Sequence, residues 1–425
     1  MRTCARRSPW LQAGGTLTKT GIIGGGAAGL WAACFLKKNG ADFTLLEKNP
    51  ECGRKLLLTG HGRCNITNDK EPSELSKGYH EASGFIKPAL SSFPASALRD
   101  FAENELKLKL KKEENDRIFP VSDRASDVRD ALVKYIGAEN IVTGEEVTDI
   151  NKDGGKFKVT TGSGRKYTFD KLIVATGGKT FPQTGSDGKS YRLLQKAGHN
   201  ITPLYPALTG VPVAKDDKKF TASLSGITVF AGAGLYLQNK KKNKTEGNVL
   251  FTHDGLSGPA ITELARDIPS DVCEQEGWIE LDFTPGRDDT EVDKELLEEM
   301  NRRPDAKLTT IGTKYVPASL SEAIGERAGV TDLRAASVTK QGRKDYVRNL
   351  KHLHMTIEKQ PKFETAYVTR GGVALSQIER KTYESKVVEG LYIIGEVLDI
   401  DGISGGYNLQ AAASEAFLAV RAVMC

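Results

Sequence analysis

Three glycines near the start of the chain have the spacing of a phosphate-binding turn. Gly24, Gly26 and Gly29 fit the pattern G-x-G-x-x-G directly after the apolar stretch 21–23. In such a turn the absence of side chains lets the backbone approach a pyrophosphate, and N–H groups at the start of the next helix bind its oxygens. The pattern alone is a weak signal, because any glycine-rich turn can match it.

The residues after this turn strengthen the prediction of a dinucleotide site. We predict a helix over residues 30–38, and Ala27 and Ala28 are small enough to let its start pack closely on the strand. Glu47 ends a second apolar stretch, 43–46, eighteen residues after the last glycine of the turn. An acid at about this distance binds ribose hydroxyls. These features together predict a unit that binds either NAD or FAD.

A long polar loop follows the second strand. Residues 51–68 contain three glycines and show neither a helical nor a strand period. Arg54, Lys55 and Arg63 can neutralise a pyrophosphate. His61 and Cys64 have no acid or second thiol close to them in the sequence, so the loop predicts neither a metal site nor a nucleophile with its base. The alternative is a surface loop without a ligand.

Two further apolar strands are predicted to end at glycines. The first, 171–175, runs into Thr-Gly-Gly, and the second covers residues 391–394. The second strand is followed by Gly395, Glu396 and Asp399. A glycine cluster at 402–406 then precedes a predicted helix over residues 407–423. Strands that end in this way form a ligand crevice, and this many contacts suit a ligand longer than NAD.

The order of these segments predicts an α/β protein with a discontinuous first domain. Residues 19–198 and 362–425 are expected to form the dinucleotide-binding domain. A barrel-like β insertion is expected over 199–284 and 351–361, and a helical subdomain over 285–350. Residues 1–18 contain three arginines and no acid, which predicts a disordered extension, with a targeting presequence as the alternative.

Composition limits the class of protein and its partners. The chain has 425 residues, a net charge of +5 and six cysteines without a C-x-x-C pair, which predicts a cytoplasmic protein without a zinc site. No apolar run approaches the roughly twenty residues that span a bilayer. Two lysine runs stand out, and each is either a solvated strand edge or a contact for RNA. They are Lys107, Lys109, Lys111 and Lys112, and Lys240, Lys241, Lys242 and Lys244.

Seven sequence blocks carry a resemblance to a known family. They are GGGAAGL, GRKLLLTGHGRCNITN, RIFPVSDRASDV, ATGGKTFPQTGSDG, LFTHDGLSGPAI, VTRGGV and GEVLDIDGISGGYNLQ. With these blocks the chain resembles the bacterial BaiN/RdsA-type, aminoacetone-oxidase-like family of NAD(P)/FAD-dependent flavoproteins over residues 20–422. The resemblance implies non-covalent FAD in a glutathione-reductase-like Rossmann domain built from both ends of the chain. It also implies an inserted β-barrel and a helical subdomain.

The resemblance also assigns expected roles along the cofactor. The first glycines would face the pyrophosphate, Glu47 the adenosine ribose, and the backbone of Val147 the adenine. Residues 176–178 would pass beneath the cofactor, and Asn408 and Leu409 would present N–H groups to the isoalloxazine. The predicted cofactor-binding residues are Gly24, Gly26, Ala27, Ala28, Gly29, Glu47, Lys48, Arg54, Lys55, Thr59, Gly60, Arg63, Cys64, Asn65, Val147, Thr176, Gly177, Gly178, Gly395, Glu396, Asp399, Gly405, Gly406, Tyr407, Asn408 and Leu409.

The resemblance implies a reductase that takes hydride from NAD(P)H and reduces an activated C=C bond. The chain has no second G-x-G-x-x-G after a strand, so NAD(P)H is expected to bind only transiently. The implied substrates are a steroid-like enone or a uridine of ribosomal RNA, which would become dihydrouridine. Cys64 and His253 are the predicted proton donors. The chain departs from the family at 411–413, where alanines replace a block that usually contains tryptophan, and this leaves the substrate open.

Two other functions are compatible with the same sequence. The aminoacetone-oxidase-like resemblance allows a flavin amine oxidase that returns electrons to oxygen. A non-enzymatic FAD-bearing protein, whose insertion docks a partner, is the other alternative. The sequence predicts no oligomeric state.

Overall fold

The computed structural model of the protein describes residues 18–425, which form two compact units. One unit contains the residues up to Tyr205 together with Tyr367–Cys425, and the other contains Pro206–Ala366. Each unit has its own hydrophobic core. The predicted disordered extension falls on residues 1–17, which lie outside the described residues, and on Thr18. The finer division of the insertion into a barrel and a helical subdomain stays a prediction.

Five parallel strands form the central sheet of the first unit. Their bounds are β1 Thr20–Ile23, β2 Phe43–Glu47, β6 Ile141–Thr143, β10 Lys171–Val174 and β19 Leu391–Ile393. The order across the sheet is β19, β10, β1, β2, β6, so β1 is the middle strand. Ile22 of β1 lies between Ile173 and Leu45 of its two neighbours. These strands are apolar and buried, as expected for a parallel sheet that is covered on both faces.

Two long helices join the beginning and the end of the chain within this unit. They are α1, Ala27–Lys38, and α13, Tyr407–Val423. Helix α13 has the predicted bounds, whereas α1 begins three residues before the predicted start at residue 30. Phe35 of α1 packs its ring edge-on against Phe93, Phe101 and Phe417, with centroid distances of 5.0, 5.4 and 5.6 Å. Edge-to-face pairs of this kind each add about 0.5–1.5 kcal/mol beyond simple burial. The aromatic cluster therefore holds the C-terminal helix in the unit.

Smaller elements complete the first unit. Its other α-helices are α2 Pro72–Leu75, α3 Ser83–Ser92, α4 Ala95–Asn104, α5 Ala125–Ile136 and α6 Ser190–Lys196. One three-stranded antiparallel sheet consists of β3 Thr67–Asn68, β4 Leu110–Glu113 and β5 Arg117–Pro120. An antiparallel meander consists of β7 Val147–Asp153, β8 Lys156–Thr161 and β9 Lys166–Phe169. Strands β11 Tyr205–Ala207 and β18 Val368–Arg370 lie where the chain passes between units.

The polar loop after β2 differs from its prediction. The sequence shows no period there, whereas the structure contains a 3-10 segment over Leu56–Gly62. The segment is interrupted at Gly60 and His61, which both have left-handed backbones with φ of 56° and 57°. A left-handed residue breaks the repeat of a helix, and for this reason hydrophobic periodicity could not detect the segment.

The second unit is built on a six-stranded antiparallel sheet. Its strands are β12 Val211–Pro212, β13 Thr228–Leu237, β14 Lys240–Thr252, β15 Gly255–Ser257, β16 Trp278–Asp282 and β17 Leu353–Thr356. Their order is β12, β15, β14, β13, β16, β17, and a bridge between Val213 and Ile357 links the two outer strands. A sheet whose edges meet in this way is barrel-like.

Helices of the second unit lie mostly between β16 and β17 in the chain. The six helices of this unit are α7 Lys215–Ser223, α8 Pro259–Leu264, α9 Asp289–Arg302, α10 Leu308–Gly312, α11 Ala318–Arg327 and α12 Lys340–Lys351. Asp288 and Glu291 form a capping box that begins α9, and Thr339 caps α12. Such caps satisfy N–H groups that a helix start leaves unpaired. Among residues 18–425, every helix is too short or too polar to cross a membrane.

Candidate functional site

The physical reason for a glycine differs among the three positions of the first turn. Gly24 has a φ of +103°, and a Cβ atom there would lie 2.5 Å from the carbonyl oxygen of Ala175. A Cβ atom on Gly29 would lie 1.9 Å from the carbonyl oxygen of Gly24, so this glycine allows α1 to pack on β1. A Cβ atom on Gly26 would meet no protein atom within 4 Å. The first two glycines are therefore required by the fold, while the space at Gly26 is open to a ligand.

The start of α1 is suited to an anion. Gly26 is its N-cap and supplies no side-chain cap, and the first turn contains no acid. The N–H groups at a helix start without a side-chain cap can bind a phosphate, and the helix dipole favours the negative charge.

Glu47 lies at the end of β2 with a fixed carboxylate. Its Oε2 accepts the N–H of Gly25 at 2.7 Å, and its Oε1 accepts the N–H of Asn49 at 2.8 Å. The N–H of Glu145 bonds to the carbonyl of Glu47 at 2.9 Å, which brings the start of β7, and with it Val147, to the same edge of the sheet. The fixed acid can accept hydrogen bonds from the two hydroxyls of a ribose.

Two predicted cations lie near this acid. Lys48 forms an ion pair with Asp187 at 3.0 Å, and Arg54 donates to Asn49 Oδ1 at 3.1 Å. The charge of Lys48 is therefore compensated by a protein carboxylate, while Arg54 has a neutral partner in this contact.

Lys55 and Glu396 form the polar centre of the site. Lys55 Nζ lies 2.7 Å from Glu396 Oε2 and also donates to Thr180 Oγ1 at 2.6 Å. The N–H of Thr369 and the hydroxyl of Thr180 donate to Glu396 Oε1 at 2.9 and 3.0 Å. A Cβ atom on Gly178 would lie 2.7 Å from Glu396 Oε1. Glycine at 178 thus permits the carboxylate to approach the backbone after β10.

Cys64 occupies a buried position in the polar loop. Its side chain is fully buried, and its φ of 61° is left-handed. Burial raises the pKa of the Cys64 thiol to about 12, so the thiol is protonated at neutral pH. A protonated thiol is a poor nucleophile. The backbone around it is fixed by a bond from the N–H of Cys64 to the carbonyl of Thr59 at 2.9 Å and by close approach of Gly60 to Asn65.

Arg63 is turned toward protein carboxylates. Its Nε donates to Asp123 at 2.8 Å, its Nη2 contacts Glu113, and its guanidinium lies 4.2 Å from the centroid of the Phe119 ring. Hydrogen bonds from this guanidinium and from Lys111 hold the pKa of both carboxyls below their usual range. The structure thus joins Arg63 to the β4–β5 hairpin, with its charge already compensated.

The loop after β19 reaches the start of α1. A Cβ atom on Gly395 would lie 2.8 Å from the Cβ of Ala28, and the N–H of Gly395 donates to Glu415 Oε2 at 2.6 Å. Burial raises the pKa of Glu415 to about 8. Asp399 accepts from Thr202 Oγ1 at 2.9 Å, and burial raises its pKa as well.

The start of α13 offers a second set of N–H groups. Gly405 and Gly406 have φ of 113° and 96°, and α13 begins without a side-chain cap. The side chain of Asn408 bonds to both backbone groups of Gly402 at 2.8 and 2.9 Å, while the carbonyl of Tyr407 accepts from the hydroxyl of Tyr79 at 2.7 Å. These bonds fix the loop, so the N–H groups of its first turn, with half-buried Leu409, are held in place.

Thr176 and Gly177 end β10 beside a buried hydroxyl. Thr176 donates to Ser190 Oγ at 2.8 Å, and a Cβ atom on Gly177, whose φ is +75°, would lie 3.3 Å from Ser186 Oγ. Ser186 Oγ, Asn65 Oδ1 and Asn68 Oδ1 are buried without a hydrogen-bond partner within residues 18–425. Buried polar atoms are nearly always paired, so orphaned atoms at this site fit a polar ligand.

His253 belongs to the second unit, where it is exposed in the turn between β14 and β15. All other predicted site residues belong to the first unit. Thr180, Thr369, Ser186 and Glu415 are site residues that sequence reasoning missed. Thr180 and Ser186 lie within the block ATGGKTFPQTGSDG and Thr369 within VTRGGV, so a search of each glycine-rich block for hydroxyls could have found them.

The fold and this site define a Rossmann protein that is built to bind an extended dinucleotide. The first unit has N–H groups without a side-chain cap at the start of α1, a fixed acid at the end of β2 and a second glycine loop before α13. The chain belongs to the HI0933-like family, because the sequence model of this family matches residues 18–422. The family is described as HI0933-like protein Rossmann domain. The resemblance inferred from the seven blocks is thereby confirmed.

Three curated relatives cover almost the whole chain. A 3-dehydro-bile acid delta(4,6)-reductase of Clostridium scindens is 32% identical over 413 residues, which are 96% of this chain and 99% of the relative. A ribosomal RNA dihydrouridine synthase of Haemophilus influenzae is 32% identical over 93% of this chain and 96% of its own. A ribosomal RNA dihydrouridine synthase of Escherichia coli is 29% identical, with 93% and 95% covered. Together with the fold and the site, the family makes this protein an FAD-dependent oxidoreductase.

Proposed function

We propose that this protein is an NAD(P)H-dependent reductase of a C=C bond conjugated to a carbonyl. The observation that carries the proposal is the agreement between its relatives. One is named as a delta(4,6)-reductase and two as dihydrouridine synthases, and all three names describe saturation of a ring C=C bond. Each alignment covers more than 90% of both chains, so the likeness is not limited to one of the two units.

Different residues of this chain would bind different parts of the cofactor. FAD, when bound, supplies hydride transfer. The first turn of α1 would hold its pyrophosphate, Glu47 its adenosine ribose, and Lys55 with Glu396 its ribityl hydroxyls. The N–H groups of Asn408 and Leu409 would lie at the pyrimidine edge of the flavin. N–H donors at that edge favour the negative charge of the reduced cofactor.

Reduction of a conjugated C=C bond needs a proton as well as a hydride. The hydride adds to one carbon and the proton to its neighbour, so that the double bond becomes single. We keep Cys64 and His253 as the proposed proton donors. The assignment of Cys64 is supported by its buried, protonated thiol. The assignment of His253 is supported only by the exposure of its side chain in the second unit. Replacing Cys64 with alanine is expected to slow substrate reduction while leaving NAD(P)H-dependent flavin bleaching unchanged, and His253→Ala serves as the parallel variant.

We propose ribosomal RNA as the first substrate to test and a steroid-like enone as the second. Lys240, Lys241, Lys242 and Lys244 are all exposed on one hairpin of the second unit. In the other lysine run, by contrast, Lys111 and Lys112 are paired with aspartates at 2.5 and 2.8 Å. Lys241 lies 5.1 Å from the centroid of the Tyr236 ring, and none of the four lysines of the hairpin forms an ion pair within residues 18–425. These exposed charges support contact with a phosphate backbone.

The function is tested by anaerobic stopped-flow spectroscopy of the FAD-loaded protein. We expect NADPH or NADH to bleach the flavin, and an RNA or enone substrate to restore its colour faster than oxygen does. Product mass would then increase by two hydrogens. If neither nicotinamide bleaches the flavin but a small amine does, the protein is an amine oxidase. If nothing bleaches it on a turnover timescale, the protein is an FAD-bearing binding protein.

The RNA proposal predicts a salt-dependent contact at the lysine hairpin. Replacing Lys240, Lys241, Lys242 and Lys244 with glutamine should weaken RNA binding and reduce the slope of log K against log salt by up to about 3, because each contact to single-stranded RNA contributes about 0.7. A matched control changes Lys215, Lys219, Lys340 and Lys344, which are exposed lysines of the same unit. Equal slopes for the two quadruple variants would remove the hairpin from the RNA interface.

A further inference from the structure

Three aromatic rings from distant parts of the chain meet in the first unit. His61 belongs to the polar loop after β2, Phe181 to the loop after β10, and Tyr367 precedes β18. The ring of Tyr367 lies 5.3 Å from that of Phe181 at an interplanar angle of 74°, and 6.4 Å from that of His61 at 57°. We call these three residues the aromatic triad. Tyr367 is its centre, since it contacts both of the others.

The aromatic triad is open to solvent although its neighbours in the chain are buried. Tyr367 is 38% exposed and His61 is exposed, whereas Thr180, Val368 and Thr369 are buried. Single exposed aromatic residues are common and need no explanation. Three that converge from separate segments form a surface that can receive a flat ligand, because aromatic faces and edges attract other rings.

Two members of the aromatic triad have an uncommon backbone conformation. Phe181 has φ 52° and ψ 57°, and His61 has φ 57° and ψ 44°, both in the left-handed region. Large side chains rarely adopt this region, and residues that do so concentrate at binding sites. Neither ring is buried, so packing does not explain why the chain holds them there. A surface that must present both rings does explain it.

Hydrogen bonds connect the aromatic triad to the polar centre of the site. Thr180, which precedes Phe181, donates to Glu396, and its Oγ1 lies 3.5 Å from the carbonyl oxygen of Tyr367. Lys55 Nζ donates to the same hydroxyl at 2.6 Å. The rings are therefore anchored on the residues that we assign to the cofactor, and a ligand on them would lie beside that site.

His61 adds a polar group to this aromatic surface. Its imidazole makes no side-chain hydrogen bond to any part of the chain that the structure describes, so both ring nitrogens are available to a ligand. An imidazole N–H can donate to a carbonyl oxygen. A ligand that stacks on Tyr367 or Phe181 and carries a carbonyl group would satisfy both features.

We propose that the aromatic triad binds the ring that is reduced, a flat ring with a C=C bond conjugated to a carbonyl, and that His61 donates to this carbonyl. The inference rests on the proposed function and names the substrate subsite within it. Uracil and a steroid enone share this chemical group, so one surface suits either source. The aromatic triad is thus a specificity element, distinct from the residues that hold the cofactor.

Ligand binding to the FAD-loaded protein tests the inference without turnover. The change in the flavin absorption spectrum is followed while oxidised protein is titrated with single-stranded oligouridylate or with 4-androstene-3,17-dione. Tyr367→Leu should weaken binding of the true ligand about tenfold, within the range known for loss of one base-stacking ring. Tyr367→Phe should bind as the wild type does, and His61→Asn, which tolerates the left-handed backbone, should bind more weakly. The control variant is Phe230→Leu, at an aromatic residue of the second unit that is 53% exposed.

The outcomes separate the subsite from the proposed function. A tenfold loss for oligouridylate alone assigns the subsite to uracil, and a loss for the steroid alone assigns it to an enone. If the wild type binds a probe and Tyr367→Leu binds it equally well, the subsite is wrong while the reductase proposal stands. If the wild type binds neither probe, the assignment to a conjugated carbonyl ring is overturned. Failure of NAD(P)H to bleach the flavin, by contrast, overturns the proposed function itself.

Discussion

Lys55 and Glu396 lie 341 positions apart in the sequence and form the ion pair at the polar centre of the site. Each side chain is about one-fifth exposed, so the pair lies between a surface pair, worth up to about 1 kcal/mol, and a buried one. Thr180 and Thr369 complete the shell of the carboxylate. Loss of one partner would leave the other charge poorly solvated.

The Lys55–Glu396 pair makes the first residue-scale prediction. Lys55→Met should lower the free energy of unfolding of the FAD-free protein by about 1–3 kcal/mol, because Glu396 then lacks its cation. The double variant Lys55→Met, Glu396→Gln removes both charges and should recover part of this loss. Urea unfolding of the wild type, the single variants Lys55→Met and Glu396→Gln, and the double variant measures the coupling. An effect of the double variant equal to the sum of the two single effects would mean that the pair is not coupled.

Glu415 makes a second residue-scale prediction, on pH dependence. Its folded pKa of about 8 lies above the usual value of 4.5, so the folded state holds a proton that the unfolded state releases. The contribution to stability is complete below about pH 4.5 and is lost as pH rises through about 8. Glu415→Gln, which imitates the protonated acid and can still accept the N–H of Gly395, should therefore gain stability relative to the wild type as pH rises.

Denaturant unfolding between about pH 5 and pH 9 checks this sign, with an expected difference on the order of 1–5 kcal/mol at the upper end. A difference that is constant with pH would show that Glu415 is ionised in the folded protein throughout. Glu396→Gln, at the carboxylate that is paired with Lys55, is the comparison variant.

In the turn between β1 and α1, one glycine is required by the packing of the fold, while another leaves space for a ligand. Gly29→Ala would place a methyl group 1.9 Å from a carbonyl oxygen, whereas Gly26→Ala would meet no protein atom. We expect Gly29→Ala to destabilise the FAD-free protein by about 3 kcal/mol or more. Gly26→Ala should cost about 1 kcal/mol or less, from the poorer N-cap.

We expect Gly26→Ala, which has the smaller effect on stability, to have a large effect on FAD affinity. Gly26→Ala should weaken FAD binding by at least about tenfold, because its methyl group would stand where the backbone approaches the phosphates. Fluorescence titration with FAD after a check of folding by circular dichroism measures this. Unchanged affinity in folded Gly26→Ala would place the pyrophosphate elsewhere.

Sequence patterns predicted the elements better than the contacts between them. The residues 407–423 were predicted as a helix and are one, since a glycine cluster and a small-residue run mark it locally. The 3-10 segment after β2 was missed, because left-handed residues leave no periodic signal. The pairing of Arg63 with Asp123 and Glu113 could not be foreseen either, since it depends on how the β4–β5 hairpin meets the loop. Site residues could be proposed by type, while their partners required coordinates.

At the scale of the whole molecule, the cofactor site and the barrel-like sheet belong to different compact units with separate cores. FAD should therefore protect the first unit against unfolding more than the second. At a free FAD concentration of 100 times Kd, linkage adds about 2.7 kcal/mol to the unit that binds it. Hydrogen exchange with and without FAD measures this by peptide. Equal protection in peptides of both units would indicate that the two units unfold together.

The discontinuous first unit has a consequence for the order of events during synthesis. Strand β19 and helix α13 follow Pro206–Ala366 in the chain, although they pair with β10 and pack beside α1. On the ribosome, the second unit is therefore complete while the first still lacks an edge strand and the helix that covers its aromatic cluster. The apolar face of α1 stays exposed to solvent during that interval, which makes the nascent chain prone to aggregation.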